Sequence, residues 1–164
     1  MASETSVAAS GKVGVVRRDP MAMLPFCGYN MGEYFNKWIE LGKQLGDKAP
    51  KIFNVNWFRQ DDNGNFLWPG FGENIRVLDW ILKRCENKIN AIETPIGYIP
   101  YTKDINSDDL DIKKDTLEYI LGVDKELWRQ ETLRIEEFYK MFKGIMPIEL
   151  NQELEQLKSR LQIN

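Results

Sequence analysis

The chain has 164 residues, of which 43% are hydrophobic and 29% charged, with a net charge of −3 and no histidine. This composition is typical of one soluble globular domain and excludes an intrinsically disordered chain. The pI near 5.2 predicts no nucleic-acid partner. No apolar run approaches the roughly 20 residues that span a bilayer, so no membrane partner is expected. Catalytic triads and metal sites that depend on an imidazole are excluded.

The ends and the cysteines indicate the cellular compartment. The N-terminus is small and polar where a signal peptide would be apolar, so a cytoplasmic location is predicted. Cys27 and Cys85 are too few for a disulfide framework. We expect both to be buried, reduced thiols.

The first quarter of the chain predicts a flexible segment followed by a helix. Residues 1–14 are small and polar without periodicity, and the short apolar run 13–16 is a candidate strand. A turn-rich stretch over 19–30 leads to a helix over 31–45, which Gly46 is expected to end. The apolar stripe of this helix consists of Met31, Tyr34, Phe35, Trp38, Ile39 and Leu45.

The middle of the chain predicts a hairpin. Apolar and polar residues alternate over 51–58, which indicates a strand, and Asn63-Gly64 favours a tight turn with positive φ. Residues 66–68 then form the second strand. A glycine-bearing loop follows, and Asn74 is the expected N-cap of a helix over 74–87. The core face of that helix is predicted to carry Ile75, Leu78, Ile81, Leu82 and Cys85.

The last part of the chain is predicted to be mostly helical. After an extended piece over 94–101 and an acidic linker, helices are expected over 113–121, 124–143 (with Asp124 as N-cap) and 150–161. The predicted fold is mixed α/β, a short hairpin or sheet remnant packed with about four to five helices.

Five aromatic residues crowd into the segment 56–74, and two interpretations of them are open. An aromatic cluster in a hairpin is usually core. Alternatively, two rings can sandwich a purine, since stacking contributes about 1–3 kcal/mol per base. An asparagine amide could then read the base edge. The aromatic residues are Trp57, Phe58, Phe66, Trp68 and Phe71.

The run NWFRQDDNGNFLWPGFGEN (56–74) closely resembles the guanine-binding segment of GTP-dependent phosphoenolpyruvate carboxykinases. The resemblance extends to RDPMAMLPFCGYNMGEYFNKW (18–38), APKIFNVNWF (49–58) and TPIGYIP (94–100). It implies that residues 15–164, with the C-terminal helices over 112–164, are the C-terminal, guanine-binding part of the family's nucleotide-binding lobe.

The resemblance also implies an activity and a set of site residues. The family is a decarboxylating lyase of gluconeogenesis and anaplerosis that converts oxaloacetate and GTP to phosphoenolpyruvate, GDP and CO2 with Mn2+ or Mg2+. Phe58, Phe66 and Phe71 are similar to the rings that wall the guanine pocket. Asn74 is similar to the residue that binds the guanine edge. The remaining nucleotide-binding positions implied are Trp57, Gly72 and Glu73.

Residues 1–14 resemble the mobile lid that closes over the family's active site. A flexible tail is the alternative that the residues alone favour. A lid excludes water from the phosphoryl group in transfer and protects the enolate from protonation. This copy has no histidine in the lid, unlike the animal enzymes. The lid positions implied are Ser3, Glu4, Ala8, Ala9 and Gly11.

Other parts of the family's machinery have no counterpart in these 164 residues. The phosphate loop, the metal ligands and the oxaloacetate-binding arginines of the resembled enzymes lie upstream, so no catalytic or metal-binding residue is assigned here. We expect the chain alone to be inactive, to depend on the remainder of the polypeptide, and to expose apolar surface that favours self-association. The alternative is a non-catalytic interaction domain that keeps the fold without binding nucleotide.

Overall fold

A computed structural model describes residues 2–4, 16–18 and 23–162. These ranges form five α-helices and two antiparallel sheets of two strands each, so the chain is of the mixed α/β class, as the sequence predicts. The helices are α1 (Met31–Leu45), α2 (Asn74–Cys85), α3 (Lys114–Leu121), α4 (Lys125–Lys140) and α5 (Ile148–Arg160), and the strands are β1 (Ala2–Glu4), β2 (Val16–Arg18), β3 (Ile92–Thr94) and β4 (Gly97–Ile99).

The chain divides into two compact units, each with its own hydrophobic core. The first unit is discontinuous in sequence and comprises Met1–Ala49 with Glu126–Asn164. The second unit is the continuous segment Pro50–Lys125. The aromatic segment 56–74 therefore belongs entirely to the second unit.

Strands β1 and β2 pair near the N-terminus of the first unit. Ala2 lies opposite Arg18, and Glu4 lies opposite Val16. The sequence predicts a strand over 13–16, whereas the observed strand begins at Val16. Residues 13–15 lie outside the described ranges.

Helix α1 begins and ends where the sequence predicts. The Asn30 side-chain oxygen accepts the N–H of Gly32 at 2.8 Å, which satisfies one of the free donors of the first turn. At the other end Gly46 has φ +52°, and its N–H donates to the carbonyl of Gly42. The Asn30 amide nitrogen also donates to the carbonyl of Phe142 at 3.2 Å. One side chain thus caps α1 and ties it to the segment after α4.

The core of the first unit joins α1 to that segment. Met31 and Phe35 are buried with Phe142, and the rings of Phe35 and Phe142 lie edge to face with centroids 5.6 Å apart. Gly32 makes this approach possible, because a Cβ there would lie 2.6 Å from the carbonyl oxygen of Ile145. Met31, Tyr34 and Phe35 of the stripe predicted for α1 therefore face this core, whereas Trp38 is exposed.

Helices α4 and α5 are linked by polar contacts. The guanidinium of Arg129 donates to the carbonyl of Leu161 at 3.0 and 3.2 Å. The Lys158 ammonium contacts the carboxylates of Glu136 and Glu155, and these hydrogen bonds raise the pKa of Lys158. Because Glu136 lies on α4, its contact with Lys158 and the Arg129 bond both join the two helices.

The predicted bounds of the last two helices need correction. Helix α4 ends at Lys140 rather than at residue 143, because the N–H groups of residues 141–143 each donate to a carbonyl three residues back, and positive φ follows at Lys143 and Gly144. Helix α5 begins at Ile148, two residues before the predicted start. The capping role of Asp124 stays a prediction.

Helix α2 buries a different face from the one predicted. Trp80 is buried, and Val77 and Ile81 pack on the same core. Of the predicted core stripe, only Ile81 faces inward. The helix is apolar on two sides, and the wide indole ring of Trp80 decides which side the second unit buries. The exposed side carries Ile75, Leu78, Leu82 and Cys85.

The predicted strand over 51–58 is wrong for this structure. No described residue forms a ladder with it, and a strand exists only through hydrogen bonds to a neighbour. Part of the predicted alternation survives, since Phe53 is half-buried and its ring meets Trp80 edge to face at 6.1 Å, while Ile52 is 89% exposed. The Lys51 ammonium donates to the carbonyl of Arg84 at 2.8 Å, at the C-terminal end of α2.

The segment between α2 and α3 is more ordered than predicted. Residues 92–99 form the β3–β4 hairpin, with Ile92 opposite Ile99 and Thr94 opposite Gly97. The stretch predicted as an acidic linker buries Ile105 and Leu110 in the core of the second unit. The acidic residues around them dominated its composition and hid these two core positions.

Both cysteines are free thiols. Cys27 is half-buried, but Cys85 is exposed on the outer side of α2, so the prediction of two buried thiols is wrong for Cys85. Within the described residues, no helix combines the length and apolarity needed to cross a bilayer.

Candidate functional site

A narrow turn places the first two candidate rings. Gln60 and Phe66 form an isolated antiparallel bridge, and the N–H of Leu67 donates to the carbonyl of Arg59 at 2.9 Å. Gly64 has φ +82°, as the Asn-Gly turn predicts. The predicted hairpin is therefore reduced to residues 59–67.

The rings of Phe58 and Phe66 touch each other at the surface. Their centroids are 6.0 Å apart with an interplanar angle of 63°, and the residues are 73% and 59% exposed. A flat ligand does not fit between rings that already meet edge to face, but their outer faces are open to stacking. The turn thus presents the two rings together on its solvent side.

Asp61 orders this turn. Its carboxylate accepts the backbone N–H groups of Asn63 and Asn65 at 2.9 and 2.8 Å, and the side-chain amide of Asn65 at 3.1 Å. Donation by the Asn65 side chain, then by the backbone, lowers the pKa of the Asp61 carboxyl below its ordinary value. The charged form of Asp61 therefore holds the loop between the two rings.

We expect the turn to lose its order on acidification. A carboxyl whose pKa is lowered by folding stabilises the fold above its ordinary pKa, and this contribution disappears as the pH falls through the lowered pKa. The NMR shifts of the Asn63 and Asn65 amides should follow that titration at acidic pH. Asp61→Asn should remove the titration, and Asp62→Asn should keep it. If the Asn63 and Asn65 amide shifts titrate in Asp61→Asn as they do in the unchanged chain, the result would contradict this role of Asp61.

The Pro-Gly-Phe-Gly loop exposes the third candidate ring. Gly70 has φ +139°, which favours glycine, and the chain then enters a short 3-10 turn over Phe71–Glu73 that leads into α2. Phe71 is 91% exposed. A Cβ at Gly72 would have no neighbour within 4 Å. The backbone at Gly72 is therefore open to a close approach from solvent.

Asn74 holds a different position from the predicted N-cap. It is the first residue of α2 in helical conformation, because the 3-10 turn precedes it. Its side-chain oxygen accepts the indole N–H of Trp68 at 2.8 Å. The Asn74 side chain is thereby fixed by Trp68 and does not cap the N-terminus of α2.

Glu73 is engaged by a neighbour on the same helix end. Its carboxylate lies 2.5 Å from Nε of Arg76, and Nη1 of Arg76 donates to the carbonyl of Asn106 at 2.9 Å. Glu73 therefore helps to hold Arg76, and through Arg76 the start of α2, against the segment at Asn106.

The aromatic residues of the segment divide into two groups. Trp68 is buried and Trp57 half-buried, with ring centroids 6.2 Å apart, so the core interpretation holds for them. It does not hold for the exposed rings of Phe58, Phe66 and Phe71. The structure thus places these phenylalanines and Asn74 on one short segment, with the two tryptophans packed in the core of the same unit.

Sequence reasoning missed Arg59. Its Nη1 donates to the carbonyl of Ile120 at 2.9 Å, and its guanidinium lies 4.5 Å from the ring centre of Tyr119. This clamp fixes the base of the turn to the end of α3. The only signal in the sequence was a single arginine among aromatic residues, and this does not predict which residues it contacts.

A cavity of about 460 Å3 lies elsewhere in the second unit, between residues 101–107 and α3. None of the predicted nucleotide-binding residues lines it. The candidate site is accordingly an open surface, defined by exposed rings and one oriented amide.

Comparison with known proteins identifies the family. The sequence profile of the phosphoenolpyruvate carboxykinase C-terminal P-loop domain matches residues 1–160. The chain belongs to the GTP-dependent phosphoenolpyruvate carboxykinase family. The resemblance seen in the sequence is thus confirmed.

Named relatives support the same assignment. The phosphoenolpyruvate carboxykinase [GTP] of Renibacterium salmoninarum is 53% identical over 163 residues, which are 98% of this chain and 27% of that protein. Those of Thermoplasma volcanium and Chlamydia muridarum are 48% and 45% identical, again over 98% of this chain and 27% of each relative. The chain therefore spans about a quarter of the length of these carboxykinases.

The lid positions implied for a carboxykinase are only partly described. Ser3 and Glu4 lie in β1, paired with Arg17 and Val16 of β2. Ala8, Ala9 and Gly11 lie outside the described residues. Strand β1 and its partner flank residues 5–15 in the chain.

The divalent metal implied by the carboxykinase family finds no ligand set among the described residues. Within those ranges no three histidine, cysteine, aspartate or glutamate side chains come together as a metal site. The described residues therefore do not fit the ion.

Proposed function

We propose that this chain supplies the guanine-binding surface and the lid of a phosphoenolpyruvate carboxykinase that acts on oxaloacetate and GTP. The observation that carries the proposal is the Asn74 amide, which Trp68 orients at the start of α2, three residues after the exposed Phe71. Membership of the family supports it. The products would be phosphoenolpyruvate, GDP and CO2.

The exposed rings supply stacking and Asn74 supplies recognition. Guanine stacks on the open face of Phe71 and on one ring of the Phe58–Phe66 pair, whose planes lie 63° apart, and each stack contributes roughly 1–3 kcal/mol. The Asn74 amide binds the base edge, and Gly72 lets the backbone approach the ring. Trp57 and Glu73 support the site without contacting the base. Trp57 packs against Trp68, and Glu73 pairs with Arg76.

The remainder of the family's polypeptide covers the outer side of α2. Ile75, Leu78 and Leu82 form an exposed apolar stripe, and the segment 51–58 lacks a ladder partner among the described residues. Both features suit burial in a larger nucleotide-binding lobe. Without that cover, the stripe favours self-association of the isolated chain.

Catalysis needs groups beyond those described here. Phosphoryl transfer depends on positioned cations, so the phosphate contacts and the Mn2+ or Mg2+ ligands come from the remaining polypeptide. The isolated chain is then inactive. Residues 1–14 close as a lid in the complete enzyme and exclude water from the reacting groups.

Phe71→Ala tests the proposal directly. Guanosine nucleotide is titrated against the chain, with tryptophan fluorescence corrected for absorption by the base and with adenosine nucleotide alongside. Quenching by GDP is expected at millimolar concentration, about −4 kcal/mol of binding, because base contacts act without phosphate contacts. Loss of one stack should weaken binding about fivefold or more.

Phe26→Ala is the matched control, since Phe26 is 84% exposed but belongs to the first unit. It should leave the titration unchanged, because no stacking role is assigned to it. Equal quenching by GDP and ADP, or an unchanged titration in Phe71→Ala, would overturn the proposal in favour of an interaction domain.

A further inference from the structure

The hydrogen bond between Trp68 and Asn74 fixes which way the Asn74 amide faces. An indole N–H can only donate, so it must meet the oxygen and not the nitrogen of the amide. The distance from Nε1 of Trp68 to Oδ1 of Asn74 is 2.8 Å. The NH2 group of Asn74 is therefore directed to the other side, as a donor for another acceptor.

Trp68 is itself held in place. It is 8% exposed, lies in the core with Trp80 and Leu117, and packs against Trp57. The backbone of Asn74 is equally constrained, with φ −60° and ψ −26° where the 3-10 turn enters α2. A rotated amide would set two donors against each other and leave a buried indole N–H unpaired. One orientation of the amide is strongly favoured.

This orientation matters because an asparagine amide can pair with either purine. Guanine presents an acceptor at O6 beside a donor at N1, whereas adenine presents a donor at N6 beside an acceptor at N1. A freely rotating amide turns over and pairs with both. When the ribose of the nucleotide holds position 6 of the base beside the NH2 group, a fixed amide pairs with guanine alone.

We propose that Trp68 is a specificity-determining positioning residue, whose indole N–H locks the Asn74 amide so that it accepts 6-oxopurines and rejects 6-aminopurines. This inference rests on the proposed function. It assigns to Trp68 a role that does not require contact with the base.

The test compares Trp68→Phe with Trp80→Phe in the full 164-residue chain. Both variants remove an indole from the same core cluster, but Nε1 of Trp80 has no hydrogen-bond partner among the described residues. Dissociation constants for GDP, inosine diphosphate and ADP are measured by ligand-detected NMR. The indole N–H signals report folding and binding together.

The unchanged chain should prefer GDP and inosine diphosphate to ADP, roughly 5- to 150-fold for one good bidentate pair. Trp68→Phe should bring that ratio close to one, and Trp80→Phe should preserve it even if both variants bind more weakly. A merely structural role for Trp68 would weaken all three nucleotides equally. A ratio that survives Trp68→Phe overturns the inference and leaves the proposed function standing.

Two further outcomes are decisive. An unchanged chain that does not distinguish GDP from ADP overturns the proposed function and this inference with it. If Trp68→Phe does not fold, Asn74→Leu replaces it, since leucine keeps the branched shape of asparagine but neither accepts the indole N–H nor pairs with the base. The ratio of GDP to ADP affinity should then fall close to one. A retained GDP preference in Asn74→Leu would sink the proposal.

Discussion

Replacing Trp80 with alanine is expected to destabilise the second unit by about 3–5 kcal/mol, the range for truncation of a large buried aromatic. Trp80 is 4% exposed in the core with Trp68 and Leu117, and it meets Phe53 edge to face. Its indole N–H has no partner among the described residues, so the loss comes from packing rather than from a broken hydrogen bond. Such a loss is a large share of a typical domain's 5–15 kcal/mol.

Urea unfolding followed by far-ultraviolet circular dichroism measures this loss. Leu82→Ala is the control, because Leu82 lies on the same helix but is 61% exposed. We expect the control to change the free energy of unfolding by less than about 0.5 kcal/mol. Equal losses in the two variants would contradict the assignment of Trp80 to the core and of Leu82 to the surface.

Phe142→Ala should cost the first unit about as much, roughly 3–5 kcal/mol. Phe142 is 3% exposed, and its ring lies 5.6 Å from that of Phe35 and 5.1 Å from that of Phe138. The cavity would open between α1 and the segment after α4, where Gly32 already leaves no spare room. Little collapse is therefore expected to offset the loss.

The neighbouring residue gives the control for this second change. Met141 is 58% exposed, and Met141→Ala should leave the midpoint of urea unfolding nearly unchanged. If Phe142→Ala unfolds at the same urea concentration as the unchanged chain, the assigned core of the first unit is wrong.

Local signals predicted helices well and sheets poorly. The start of α1 follows from the Asn30 side chain and its end from Gly46, both of which act within one turn. A strand over 51–58 depends on a partner that local sequence does not name. The face of α2 was equally undetermined, because Ile75, Leu78 and Leu82 are as apolar as the residues around Trp80.

Residue types and family resemblance contributed different parts of the candidate site. The residues alone left the aromatic cluster as core or base surface, and burial divides it between the two. The resemblance named Phe58, Phe66, Phe71 and Asn74, whose roles stay predictions. Neither source gave the bond from Trp68 to Asn74, because a side-chain hydrogen bond across six residues depends on the intervening 3-10 turn.

The discontinuity of the first unit has a consequence for synthesis on the ribosome. Residues 50–125 emerge as one continuous stretch and can complete their core while Phe142 has yet to be translated. Met31 and Phe35 emerge earlier but must wait for Phe142, more than a hundred residues later. During that interval α1 exposes its apolar stripe to chaperones and to other nascent chains. The hydrogen bond from Asn30 to Phe142 marks the end of this exposure, since it forms only when the two halves of the unit join.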